Sequence, residues 1–202
     1  MRSGRLHRMS FRVLSLLLAS AVIPAVASPV TYTLDPSHSF VHFAYSHMGF
    51  SHQEQRINKV SGSITFDAAA KTGSVDVAID LRSVDTGSKL DEDIQGPEFF
   101  DTAKFPVATF KSTAVRFVGD KPVAINGDLT IKGITKPAVL KLENFHQGIH
   151  PFRKSPAIGA DATAKISRAA YGMGADEPLV GDEVTVRIDL EAFAPKPQAS
   201  GQ

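Results

Sequence analysis

Strict alternation of apolar and polar side chains, repeated along most of the chain, constrains this sequence more than any other feature. Val60, Gly62, Ile64 and Phe66 share one side of an extended segment, and Ser61, Ser63 and Thr65 share the other. The same rhythm places Val75, Val77, Ile79 and Leu81 on one face, then Leu129 with Ile131, and Leu140 with Leu142. It recurs in Ile158, Ala160, Ala162, Ala164 and Ile166, and in Val184, Val186, Ile188 and Leu190. A period of two is the mark of a half-buried antiparallel strand. Turn-like breaks at Asp67 to Gly73, Gly119 to Pro122, Thr135 to Pro137 and Gly148 to Pro156 separate the runs. The pattern predicts strands near 31–34, 38–46, 56–66, 74–84, 106–118, 122–133, 136–145, 157–168 and 183–193. The segment SKLDEDIQGPEFFD (Ser88 to Asp101) breaks the rhythm. Ser88 is placed to cap a short helix carrying Leu90, Asp91 and Ile94 that ends at Gly96, with Pro97 starting a second turn.

Every predicted strand has one apolar face, and one short helical segment near 88–101 is too little to cover them all. Closing the sheet on itself solves this, because the apolar faces then line an interior. The predicted fold is therefore all-β: a closed antiparallel β-barrel of about eight strands, lipocalin-like, whose inside either fills with side chains or holds one small ligand. A two-sheet sandwich satisfies the same alternation and stays open as the alternative. Small residues bear on the choice between a filled and a hollow interior. Ala160, Ala162 and Ala164 share an inward face, Gly62, Gly127 and Gly133 fall on others, and the chain has no Trp. These leave room for a ligand, or they mark tight curvature, and the residues alone do not separate the two.

The first 27 residues read as an address. Arg2, Arg5, Arg8 and Arg12 precede an apolar run, Val13 to Ile23, then Pro24 and an Ala25-Val26-Ala27 cleavage site. That order is the secretory signal pattern, and the run is shorter than the ~20 residues that span a bilayer. Cleavage after Ala27 leaves 175 residues, enough for one domain from 28 to 193 and a tail, 194–202, expected to be disordered. The leader holds four of the 22 basic residues and none of the 21 acidic ones, so the remainder carries a formal charge of −3. That charge offers no electrostatic case for nucleic acid or an anionic membrane. The chain has no cysteine, which removes disulfides, thiolate nucleophiles, zinc–cysteine sites and a lipoprotein anchor. The expected location is the periplasm.

The chain also resembles the YceI family of bacterial periplasmic proteins, from Tyr32 to Ala192. The resemblance is carried by Leu34-Asp35-Pro36-Ser37-His38-Ser39 leading into Val41-His42-Phe43 and His47, by Val60-Ser61-Gly62 with Phe66-Asp67, and by Phe105-Pro106 with Thr109 to Ser112. Gly127 to Pro137, Arg168 with Tyr171-Gly172-Met173, and Val180 to Val184 complete it. It implies an extended lipocalin-like barrel that holds a polyisoprenoid or similar long-chain amphiphile, and it carries over no catalytic activity. Tyr171 stands where the family more often has phenylalanine, and the loop from Asn144 to Pro156, with His146 and His150, matches no motif.

Candidate ligand contacts follow from parity and from the resemblance. Val41, Phe43, Tyr45 and His47 share the face expected to point inward, and His47, at the strand end, either meets a ligand head group at the barrel mouth or anchors the next turn. Phe66, Phe100, Phe105, Phe110, Leu129, Ile131 and Met173 are candidate wall residues. Arg168 ends an apolar strand, so it is either a head-group donor or a bridge to carboxylates or backbone carbonyls that closes the barrel end. His38 and His42 lie four residues apart on a strand, ~13 Å, too far to share a metal without a bend. Hydrogen-bonding histidines are the plainer expectation, and no metal or cofactor is expected. No G-x-S-x-G, H-E-x-x-H, P-loop or G-x-G-x-x-G motif occurs. The predicted function is a lipid carrier whose partner is a long-chain isoprenoid or fatty-acyl lipid, with no stable membrane span and with a homodimer left open. An enzyme acting on such a lipid, or a stress or adhesion module using the barrel as a scaffold, are the alternatives.

Overall fold

The structure is a computed structural model that describes residues 28–195. The predicted leader and residues 196–202 of the predicted tail lie outside the described residues. The alternating runs do form strands: β1 (Val30–Leu34), β2 (Phe40–His47), β3 (Ser51–Ile57), β4 (Val60–Asp67), β5 (Thr72–Asp80), β6 (Val84–Asp85), β7 (Val107–Val118), β8 (Lys121–Ile131), β9 (Ile134–Ile149), β10 (Pro156–Ser167) and β11 (Glu183–Phe193). The helix α1 (Leu90–Gln95) buries Ile94; its N-cap is Lys89, whose side chain makes no capping bond, while Ser88 Oγ, one residue earlier, accepts the Leu90 N–H at 3.2 Å.

These eleven segments build eight staves. The pairing runs β1-β4-β5-β7-β8-β9-β10-β11 and returns to β1 through Thr33 opposite Phe193 and Leu34 opposite Ala192. That closure makes the fold a barrel and not a sandwich. The three N-terminal staves are bent. β11 pairs with β1 at one end and with β2 at the other, β4 and β3 follow them, and β6 continues β5 against β3. The bends stack side by side and keep their polar groups matched. Asn58 N–H donates to Ser83 O at 3.0 Å, Lys59 N–H to Ser83 Oγ at 2.9 Å and Asp80 N–H to Lys59 O at 2.9 Å.

Three features differ from the sequence reading. The first half of β3, Ser51 to Gln55, has no apolar alternation and was not expected as strand, yet its backbone pairs residue for residue with β2. The β8–β9 break is at Lys132-Gly133, not at Thr135 to Pro137. Both residues adopt positive φ (53° and 75°), which suits a two-residue hairpin matched to strand twist. Pro137 instead lies inside β9 opposite Asp128, where the pairing with β10 has not yet begun. A strand with one partner loses little from a missing N–H. Finally, Ala194 of the predicted tail is buried and donates its N–H to Pro156 O at 2.9 Å.

Small residues turn out to do two jobs. Ala160, Ala162 and Ala164 line open space in the lumen. Gly62 and Gly127 do not: an added Cβ would lie 2.2 Å from Asp76 O at Gly62, and 2.4 Å from the Phe110 ring at Gly127. At these two glycines the reason is close approach of a neighbouring strand or ring, not ligand volume.

Candidate lipid-binding cavity

The inward faces line two adjoining spaces. The larger, about 1010 Å³, occupies the end of the barrel ringed by the β2–β3 turn, α1 and the 168–182 segment. The smaller, about 110 Å³, continues deeper between β4, β5, β8, β9, β10 and β11. Val41, Ile79, Leu129, Ile166 and Val186 line both, so these residues form a waist. They come from five staves spread around the ring. The upper space is at the large end of ordinary small-molecule sites, about 300–1,000 Å³. Met48, Leu90 and Leu179 belong to its wall and are exposed, which marks its mouth.

The expected wall residues largely meet there. Val41, Phe43, Tyr45 and His47 of β2, Leu129 and Ile131 of β8, Phe100 beyond α1, and Arg168 and Met173 all line the upper space. Phe66 and Phe110 line the lower one. Phe105 does not fit: it packs under the β8–β9 turn, its ring 3.0 Å from where a Cβ on Gly133 would stand, outside both spaces. Met48, Leu90 and Leu179 were missed because they sit in turns or at a helix start, where no period exists to read. Val184 and Val186 were also left out, although their alternation in β11 carried the signal.

Arg168 is buried and acts as a hub. Nε donates to Gly181 O at 2.9 Å, Nη2 to Val180 O at 2.7 Å and Nη1 to Met173 O. The bridging role is the one realised, through backbone carbonyls. It ties the 168–182 segment into a wall that supplies Met173, Asp176, Leu179 and Val180 to the cavity. Asp182 adds to this, accepting from Ala169 N–H at 2.8 Å and Ser167 Oγ at 3.0 Å. The Ala169 N–H, foremost, holds its carboxyl below the usual range. Burial pushes the neighbouring Tyr171 phenol up.

The polar groups are few and sit toward the mouth. Tyr45, His47 and Gln53 lie on the β2–β3 hairpin, and Glu92, Asp93, Glu98 and Asp176 stand at the exposed rim. Among the described residues the His47 ring has no hydrogen-bond partner within the chain. The other two β2-side histidines are held structurally. His42 Nε2 lies 3.0 Å from Asp189 Oδ1, and His38 Nδ1 lies 3.0 Å from Asp35 Oδ2.

Asp35, His38 and Glu191 converge closely enough to suggest a metal site. Arg153 Nη2 already bonds Asp35 Oδ2 at 2.8 Å and puts a positive charge where a cation would sit. The cluster instead clamps the bend between β1 and β2. Asp35 N–H donates to Glu191 O at 2.8 Å, and Glu191 N–H to His38 O at 3.0 Å. The His38 bond, foremost, with Ser37 N–H and Arg153 behind it, holds the Asp35 carboxyl below its ordinary 3.8. A depressed folded-state pKa contributes stability above the unfolded value and loses it as pH falls through the folded one. Asp35→Asn is therefore expected to destabilise at pH 7, and the deficit to shrink below about pH 4. Denaturant unfolding of both proteins at pH 7 and pH 3 checks this; a deficit that does not narrow in acid contradicts it.

A model of the YceI-like domain matches residues 32–192. The chain belongs to the YceI-like family. A UPF0312 protein of Shewanella denitrificans is 37% identical over 180 residues, covering 87% of this chain and 93% of the relative. Among solved structures, Burkholderia cenocepacia BcnA is 29% identical with a TM-score of 0.67, covering 79% of this YceI-like chain and 99% of its own. A polyisoprenoid binding domain from Saccharophagus degradans is 22% identical with a TM-score of 0.63, covering 82% and 99%. What it shares with this chain is the YceI-like barrel.

Proposed function

We propose that this protein is an exported, periplasmic carrier that holds one long-chain amphiphilic lipid, of polyisoprenoid or similar class, tail inward in the barrel. The observation that carries the reading is the pair of adjoining, mainly apolar spaces in the lumen, about 1010 and 110 Å³, with polar wall groups gathered at the mouth. Apolar area removed from water contributes ~25 cal/mol per Å², so a tail burying on the order of 400 Å² gains roughly 10 kcal/mol before ordering costs are subtracted. Tyr45, His47 and Gln53 are placed to meet a head group. The Saccharophagus degradans neighbour, described as a polyisoprenoid binding domain, supports the ligand class. The leader motif in residues 1–27 supports export. Among the described residues, no helix is long and apolar enough to cross a membrane.

Delipidated protein titrated with a fluorescent long-chain probe should give a saturable rise in emission, reversed by an unlabelled prenyl alcohol. A barrel serving only as a scaffold needs no hollow interior, so the space within the lumen favours the carrier reading. Absence of saturable probe binding, with the fold intact, would remove the carrier reading.

A further inference from the structure

The upper lumen is open, but the bore is bridged at its far end. Counted around the closed ring, β4 and β9 are opposite staves, with three staves between them on either side. Phe66 of β4 and Phe145 of β9 nevertheless meet, with ring centroids 5.1 Å apart. Phe117 of β7 stacks on Phe66 at 6.1 Å and an interplanar angle of 22°. A second bridge crosses beside them: Gln147 Nε2 of β9 donates to the buried Tyr32 hydroxyl of β1 at 2.8 Å. Aromatic rings from three non-adjacent staves thus bridge the lumen at its far end.

The bore above this floor is kept clear by a different arrangement. Phe110 would also cross the lumen if it stood upright, but its ring lies over Gly127 on the adjacent strand β8, against the wall. On β10 the floor level is fixed by Ala160, which pairs with Phe145. Ile166, at the waist, lies six residues away. Six residues advance ~20 Å along a strand, or roughly 15 Å along the axis of a barrel with the usual tilt. Below the waist there is therefore space for one tail, narrow and of fixed depth.

We infer that this aromatic floor is a length gauge, and that Phe145 sets the longest lipid tail the protein seats fully. The inference rests on the carrier reading and adds a specificity rule to it: tails that reach the floor bind best, and longer ones leave apolar length in water at the mouth. Phe145 is the lever because it is only partly buried and its cross-strand neighbour is an alanine, so shortening it deepens the bore. Ala162, which lines the lower space one inward position above, is the opposite lever.

The test offers wild type, Phe145→Ala and Ala162→Leu the same equimolar mixture of all-trans prenyl alcohols of graded length, and reads the retained species by mass spectrometry. Wild type should favour one length, Phe145→Ala should move that optimum longer by at least one isoprene unit, and Ala162→Leu should move it shorter. Simple destabilisation does not move an optimum in opposite directions. If Phe145→Ala does not fold, the Ala162→Leu shift alone decides. An optimum unchanged in folded variants, or no length preference in wild type, overturns the gauge and leaves the carrier standing. Retention of no prenyl alcohol of any length overturns both.

Discussion

Replacing Arg168 with alanine is expected to cost about 3 kcal/mol or more in unfolding free energy, a fall of roughly 6–12 °C in Tm for a chain of this size. Its guanidinium binds the carbonyls of Met173, Val180 and Gly181 at once, from a buried position. Removing it leaves those carbonyls without their donor and leaves a cavity behind. Lysine does not repair the loss, because a single ammonium cannot reproduce a planar fork aimed at three acceptors. The effect should reach the site as well. The 168–182 segment supplies Met173, Leu179 and Val180 to the cavity wall, so lipid affinity should fall along with stability. Thermal unfolding of wild type, Arg168→Ala and Arg168→Lys checks this. A Tm within about 2 °C of wild type in the alanine variant would mean that the hub carries much less than its geometry implies.

The largest effect on binding is expected at the waist. Val41 of β2 and Leu129 of β8 face each other from opposite sides of the ring and line both spaces. Val41→Phe with Leu129→Phe should close the passage and confine a tail to the upper space. Denying a tail even three methylene groups of burial removes about 2.4 kcal/mol, so the loss of affinity should be about 50-fold or more. Because the added rings enter open volume, lipid-free stability should change by less than overpacking of a filled core would cost, about 1–3 kcal/mol. Probe titration and denaturant unfolding of the double variant separate the two effects. Undiminished affinity in the double variant would place the tail elsewhere.

The barrel was legible because alternation survives in every stave that buries one face, and because one short helix cannot cover the rest. What escaped the sequence was structure made by backbone pairing or by turns. Ser51 to Gln55 pair with β2 but are all polar, the buried Gln55 included, so no period announces them. The break between 31–34 and 38–46 was legible, but the bends at Asn58-Lys59 and Leu81–Ser83 split two further staves without interrupting the side-chain rhythm enough to be seen. Parity correctly brought Val41, Phe43, Tyr45 and His47 to one wall, since the face of a strand residue follows from its position alone. It failed for Phe105, which lies in a loop before β7, where sequence spacing says nothing about direction. Glycines at apolar positions were ambiguous for a related reason. Whether a missing side chain leaves a void or admits a neighbour depends on the partner strand, and Phe110 and Asp76 occupy that space at Gly127 and Gly62.

The hollow and its occupant are the core of this account. The most direct measurement is a native mass spectrum of the protein isolated gently from the cells that make it. The expected spectrum shows a mass above that of the polypeptide by one long-chain lipid per chain, released intact on collisional activation. The polypeptide mass alone, in protein that also takes up no added prenyl or acyl lipid, would contradict it.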